Sequence, residues 1–149
     1  MNFLRSRRRG ARGRGAVEVP AAFQLYSFLH EDGVWWRLLS PNGRGLAWSS
    51  TAFVDGDEAR AALARLVGDV DGLEPVTRLT PDHRWRWSLR RDGVDLAQGI
   101  SAQDRRVRCA AACRSFVELV PTATLAPTVA VFRRPEGPPV ARVHSDLAR

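Results

Sequence analysis

Val34-Trp35-Trp36-Arg37-Leu38, closed by the turn Pro41-Asn42-Gly43, is written a second time as Trp85-Arg86-Trp87-Ser88-Leu89, closed by Asp92-Gly93. Four of the five tryptophans stand in these two stretches, so the internal repeat decides how the rest is read. Aligned on alternate letters, Val34, Trp36 and Leu38 match Trp85, Trp87 and Leu89 at an offset of 51. The second turn is one residue shorter, and the offset becomes 50 at Gly43/Gly93, Leu46/Leu96 and Ala47/Ala97. It holds along an apolar stripe in which Ala59, Ala62, Leu63, Leu66 and Val67 match Cys109, Ala112, Cys113, Phe116 and Val117. The spacing i, i+3, i+4, i+7, i+8 is one face of an α-helix. Farther on, Leu73-Glu74-Pro75-Val76 matches Leu125-Ala126-Pro127-Thr128 at an offset of 52. One unit of about fifty residues therefore occurs twice, as strand, turn, strand, helix, strand.

The remaining elements fall around this frame. Phe23, Leu25 and Tyr26 belong to an opening strand, and His30-Glu31-Asp32-Gly33 turns it into the first tryptophan strand. Asn42-Gly43 is a hairpin signal, with a third strand over residues 45–50. Asp55 or Asp57 caps a helix that runs to Val67 and ends at Gly68. A fourth strand over residues 74–80 ends the first copy and also opens the second. Pro81-Asp82-His83 turns the chain into a second hairpin over residues 84–90 and 94–100. Ser101 and Asp104 are candidate caps for a helix through Leu119, which Pro121 stops. Residues 128–132 are a last strand. Each hairpin has one apolar face and each helix one apolar stripe, and burying them against each other predicts an α+β two-layer fold. The expected architecture is two tandem β-β-β-α-β repeats sharing one antiparallel sheet, with two helices packed on one face. The expected core is Phe23, Leu25, Trp36, Leu38, Leu63, Leu66, Trp85, Trp87, Leu89, Cys113 and Phe116.

Composition sets the domain plan. A chain of 149 residues with 44% hydrophobic content is one globular domain. Its apolar runs are far too short to cross a bilayer. The net charge of +7 is uneven. Residues 1–19 hold Arg5, Arg7, Arg8, Arg9, Arg12 and Arg14 against Glu18, a local net of +5, which leaves +2 for the rest. Residues 1–20 read as a disordered basic Arg/Gly tail, 21–80 as the first repeat and 81–133 as the second. Residues 134–149, with Pro135, Gly137, Pro138 and Pro139, read as a second disordered tail. No apolar stretch follows the basic start, as a signal peptide requires.

Every basic residue is arginine, which excludes lysine Schiff bases and the Gly-Lys-Ser/Thr phosphate loop. Nucleotide bias in a GC-rich genome explains that preference better than function does. Cys109 and Cys113 lie one helical turn apart on the core face, where bridging them distorts the helix. No histidine pair completes a zinc site with them: His30 and His83 are in turns and His144 in the tail. They read as buried thiols in a reducing cytoplasm.

These letters resemble the YegP-like family, the bacterial and archaeal domain of unknown function numbered 1508. The resemblance is carried by Phe23, Leu25 and Tyr26; by Trp36, Arg37, Leu38, Asn42 and Gly43; and by Leu46, Ala47, Ser49 and Phe53 before the first helix. The second copy keeps Trp87, Leu89, Asp92, Gly93, Leu96 and Ala97, and departs at Gly99 and Gln103, where the family has Ser and Tyr. The match is distributed over residues 22–132. It implies β-β-β-α-β units in one sheet with exchanged terminal strands, within one chain for tandem members and in a dimer for single-copy ones. It implies no activity.

No nucleophile, base and orienting acid stand in a recognisable order. Glu31-Asp32 and Asp55, Asp57 and Glu58 occupy a turn and a helix start, which explains them structurally. The expectation is a non-catalytic binding module that needs no cofactor or metal. Its candidate contact residues are Arg7, Arg8, Arg9, Arg12 and Arg14 in the tail, and Trp35, Arg37, Arg84, Arg86 and Arg90 on the second face of the sheet. Two partners stay open. A protein can seat on an apolar patch at Trp35 and Leu39, or a nucleic acid can use the tail charges and stack on Trp35. Monomer is the default assembly, homodimer the alternative, and no membrane is involved.

Overall fold

Alternate side chains of a strand point to opposite faces, and the helix stripes select which face goes dry. The computed structural model describes residues 19–134. Its elements are β1 (Ala22–Phe28), β2 (Trp35–Leu39), β3 (Gly45–Ser49), α1 (Gly56–Asp69), β4 (Glu74–Leu79), β5 (Trp85–Arg91), β6 (Val94–Gly99), α2 (Arg106–Leu119) and β7 (Thr124–Phe132). The strands form one seven-stranded sheet in the order β4-β5-β6-β3-β2-β1-β7. Both helices lie on one face of it, and the fold class is mixed α+β.

The core lies between helices and sheet. Trp36 stacks on Phe116 with centroids 6.3 Å apart, and Trp87 meets the same ring at 5.1 Å. Phe116 thus ties both tryptophan strands to α2. Phe23, Leu25, Leu38, Leu63, Leu66, Leu89 and Cys113 are buried beside them. Trp85, expected in the core, is only partly buried, because it is the first residue of β5 and packs at the rim. The two helical stripes bury alike: Ala59, Leu63 and Leu66 on α1, Cys109, Cys113 and Phe116 on α2. Val34 bridges Phe53, and Trp85 bridges Gln103, at the same offsets of 51 and 50.

Several expectations are corrected. The sheet is not wholly antiparallel: β7 runs parallel to β1, pairing Phe23 with Leu125 and Leu25 with Val129. That register skips two residues of β7, so Pro127 sits in an irregular stretch of an edge strand, where a missing N–H is tolerated. β7 accordingly begins at Thr124, whose N–H donates to Ala21 O over 2.9 Å, earlier than the strand expected from residue 128. Helix α1 does not stop at Gly68. It runs to Asp69 and continues as the 3-10 turn Val70–Gly72, because stopping earlier leaves the buried Val70 outside the core. Val120 is buried by the same turn after α2, so the offset is still 50 there. Leu73 and Ala123 are the matching turn ends, not Leu73 and Leu125.

Of the caps expected for α1, Asp55 is the one used: it accepts from Glu58 N–H at 2.8 Å, and Glu58 in turn accepts from Val54 N–H at 3.1 Å. Neither Ser101 nor Asp104 caps α2. The N-cap position falls on Arg105, fifty residues after Asp55, and its side chain makes no cap bond. The first turn of α2 therefore puts Arg106 and Arg108 against the positive end of the helix dipole.

Candidate functional site

With both helices on one face, the other face of the sheet is the natural candidate surface. It is not the bare platform that the letters suggest. Alternation makes Trp35 an open, outward aromatic; it does leave the helices, but it is only 9% exposed. Tyr26, directly opposite it on β1, stacks on its ring at 5.9 Å and an interplanar angle of 22°. Phe28 closes a second side at 5.7 Å. Phe132, the partner of Phe28 across β1 and β7, lies 6.1 Å from Tyr26. Three strands thus contribute to one aromatic cluster on the helix-free face.

Arginines order its surface. The Arg37 guanidinium lies 4.9 Å from the Phe132 ring centre and 5.6 Å from that of Tyr26. Its Nε and Nη2 both donate to Gln24 Oε1, at 2.8 and 2.5 Å. A cation over an aromatic face is attracted by the ring quadrupole. Arg134 lies 4.0 Å above Phe28 and pairs with Glu31. Burial pushes the Tyr26 phenol well above its usual pKa, and the charges of Arg37 and Arg134 offset only part of this.

The other half of this face is polar. Ser88 and Gln98 pair across β5 and β6 and are buried. Arg90 donates to Asp95 at 2.6 Å, with Arg78 3.5 Å away on the same carboxylate. Arg86 is half-buried, and desolvation lowers its pKa. Arg84 is exposed in a turn where its N–H donates to Thr80 Oγ1 at 3.1 Å. Thr80 also bonds Asp82, which holds that carboxyl below its usual range. Of the proposed contact residues on the sheet, Trp35 and Arg37 belong to one cluster, while Arg86 and Arg90 lie on β5 and Arg84 in the turn before it, and none of the three joins that cluster. Arg7, Arg8, Arg9, Arg12 and Arg14 lie outside the described residues.

Sequence reading misses Tyr26, Phe28 and Phe132 as site residues. The adjacent pair Trp35-Trp36, and the shift from Phe23 and Leu25 to Tyr26 and Phe28, are the available signal: consecutive large apolar residues in a strand mean both faces are buried.

Cys109 and Cys113 are free and buried. Desolvation raises both thiols, Cys113 to about 11. Among the described residues, no group of three His, Cys, Asp or Glu is placed to hold a metal ion, and no helix is long and apolar enough to cross a membrane. A cleft of about 780 Å³ lies on the helix side between β4 and α2.

No family model matches the chain, and no curated protein does. Solved structures do match. The UPF0339 protein SO3888 from Shewanella oneidensis superposes with a TM-score of 0.56 at 9% identity, over 76% of this chain and 92% of that one. The protein of unknown function YegP from E. coli superposes with a TM-score of 0.55 at 10% identity, over 80% and 97%. At such identities the likeness is one of fold, and it is the YegP-like fold that the tryptophan strands suggest.

Proposed function

We propose that this chain is a non-catalytic module that binds another protein through the helix-free face of its sheet. The observation that carries this reading is the Arg37-covered cluster of Tyr26, Phe28, Trp35 and Phe132. Tyrosine, tryptophan and arginine are the residues that dominate protein interfaces, because they offer large contact area with polar tips. Here the arginine is already held by Gln24, so less rotamer entropy is lost on binding. The buried thiols fit a reducing compartment, and we place the module in the cytoplasm.

A second reading, non-specific nucleic-acid binding, rests on the arginines of residues 1–19. The body offers little for it: the described residues carry 15 arginines against 13 acids, and the ring faces of Trp35 are covered. One experiment separates the two. Pull-downs from lysate are compared for the full chain, a chain lacking residues 1–16 and the Arg37→Glu variant, with and without nuclease. The protein-binding reading expects a stoichiometric partner that resists nuclease, survives the tail deletion and is lost with Arg37→Glu. Capture that disappears with nuclease or with the tail contradicts it.

A further inference from the structure

The two halves of the sheet are finished differently. Beside β2, β1 fills the core side with Phe23 and Leu25, opposite Leu38 and Trp36. Beside β5, β4 places Pro75 and Thr77 opposite Leu89 and Trp87. β4 therefore occupies the place that β1 holds in the other half, with smaller side chains. Beyond β1 lies β7, parallel to it and clasped by α1, whose Arg60 donates to Pro127 O at 3.4 Å. Beyond β4 no further strand of the described residues follows: it is the last strand of the sheet, mostly exposed. The cleft of about 780 Å³ stands where a strand equivalent to β7 would run, lined by Leu73, Pro75, Thr77, Leu89, Cys113 and Val117. Ala110 stands fifty residues after Arg60 and leaves that side open.

The walls are charged asymmetrically. Asp71, Glu74 and Glu118 line the end where β4 begins, Arg114 lines the middle of the α2 wall, and Arg106, bonded to Thr77 at 3.2 Å, lines the other end, so the acids outnumber the one arginine near β4's start. A strand parallel to β4 enters at the acidic end and leaves at the basic one. We propose that this cleft takes an extended segment of another protein as an eighth strand parallel to β4, apolar at alternate positions, basic at its leading end and acidic at its trailing end. It is a second site, separate from the aromatic face.

The probes are two fluorescent synthetic peptides patterned on β7, Arg-Thr-Leu-Ala-Thr-Val-Ala-Val-Glu and its charge-reversed twin with Glu first and Arg last. The first peptide is expected to bind the full chain about tenfold more tightly than the twin, with amide shifts at β4 and α2. Ala110→Trp, which fills the cleft, abolishes this binding, Arg106→Glu reverses the preference, and Arg37→Glu leaves both intact. Equal binding of the two peptides, no binding by either, or shifts confined to β7 or the aromatic face overturns the proposal. So does a dimer in sedimentation that Ala110→Trp dissolves, since the edge then belongs to a second copy.

Discussion

Gly99 seats the indole of Trp87 directly on its backbone: a Cβ at position 99 would lie 2.5 Å from Trp87 Nε1 and 2.9 Å from Cδ1. Trp36 and Ser49, which stand 51 and 50 residues before them, meet differently, with Ser49 Oγ accepting from the Trp36 backbone N–H at 3.2 Å. The serine that the family resemblance leads one to expect at 99 is absent because the tryptophan occupies its space. Gly99→Ala or Gly99→Ser should therefore destabilise by about 1–3 kcal/mol through overpacking, read as a lower denaturation midpoint. Ser49→Ala should cost about 1–3 kcal/mol for another reason, a buried N–H left without its acceptor. Gly99→Ser melting with the parent would show that Trp87 is not seated there.

Trp36 and Trp87 share Phe116, so they should respond as neighbours. Each Trp→Ala truncation should cost about 3–5 kcal/mol. In a double-mutant cycle the losses should be non-additive, since both rings pack on one partner. Additive losses in chemical denaturation would mean that the two strands do not meet at α2.

The start of α2 is an opportunity for stabilisation. Arg105→Asp restores the cap that Asp55 supplies to α1 and removes a positive charge from the helix's positive end. The gain should be about 0.5–2 kcal/mol, seen as a higher Tm. A lower Tm would place the helix start elsewhere.

Tyr26 is the one tyrosine in the chain, which makes its titration readable by ultraviolet absorbance. Its pKa is raised from the usual 10.0 by burial. The neutral phenol therefore contributes stability that is full below that value and is lost as pH rises toward the folded value. Cys113, raised from 9.0 to about 11, acts in the same sense, so stability should begin to fall above its usual value. Phenolate absorbance should appear only together with loss of the circular-dichroism signal. Phenolate forming at the ordinary tyrosine pKa in a still-folded chain would contradict the burial of Tyr26.

Both cysteines should stay unreactive toward a thiol reagent until denaturant is added, since thiolate formation is suppressed and access blocked. Fast labelling of the native chain would break the core assignment.

Local letters carry the hairpins and helices because their signals are local: alternation in Trp85-Arg86-Trp87, the stripe from Ala59 to Val67, the turn at Asn42-Gly43. They misplace what depends on distant partners. Nothing within residues 124–132 says that this strand lies parallel to β1, and Pro127 hides its first half. Trp35 reads as outward on alternation alone, and its cover comes from Tyr26 and Phe28 on β1, with Phe132 of β7 against Tyr26. Capping residue types point to Ser101 or Asp104 for α2, whereas the cap position falls on Arg105. The cleft beside β4 is invisible in the letters, because it exists through what Pro75 and Thr77 do not fill.

The central claim is that β7 closes the sheet beside β1 while the outer edge of β4 stays open. Residue-resolved hydrogen exchange tests it directly. Amides of β1 on both its edges, and those of β7 directed at β1, should be protected. Alternate amides of β4, those directed away from β5, should exchange as an open edge does. Equal protection of every β4 amide, or exchange across β7 as fast as in an unfolded chain, would contradict the account.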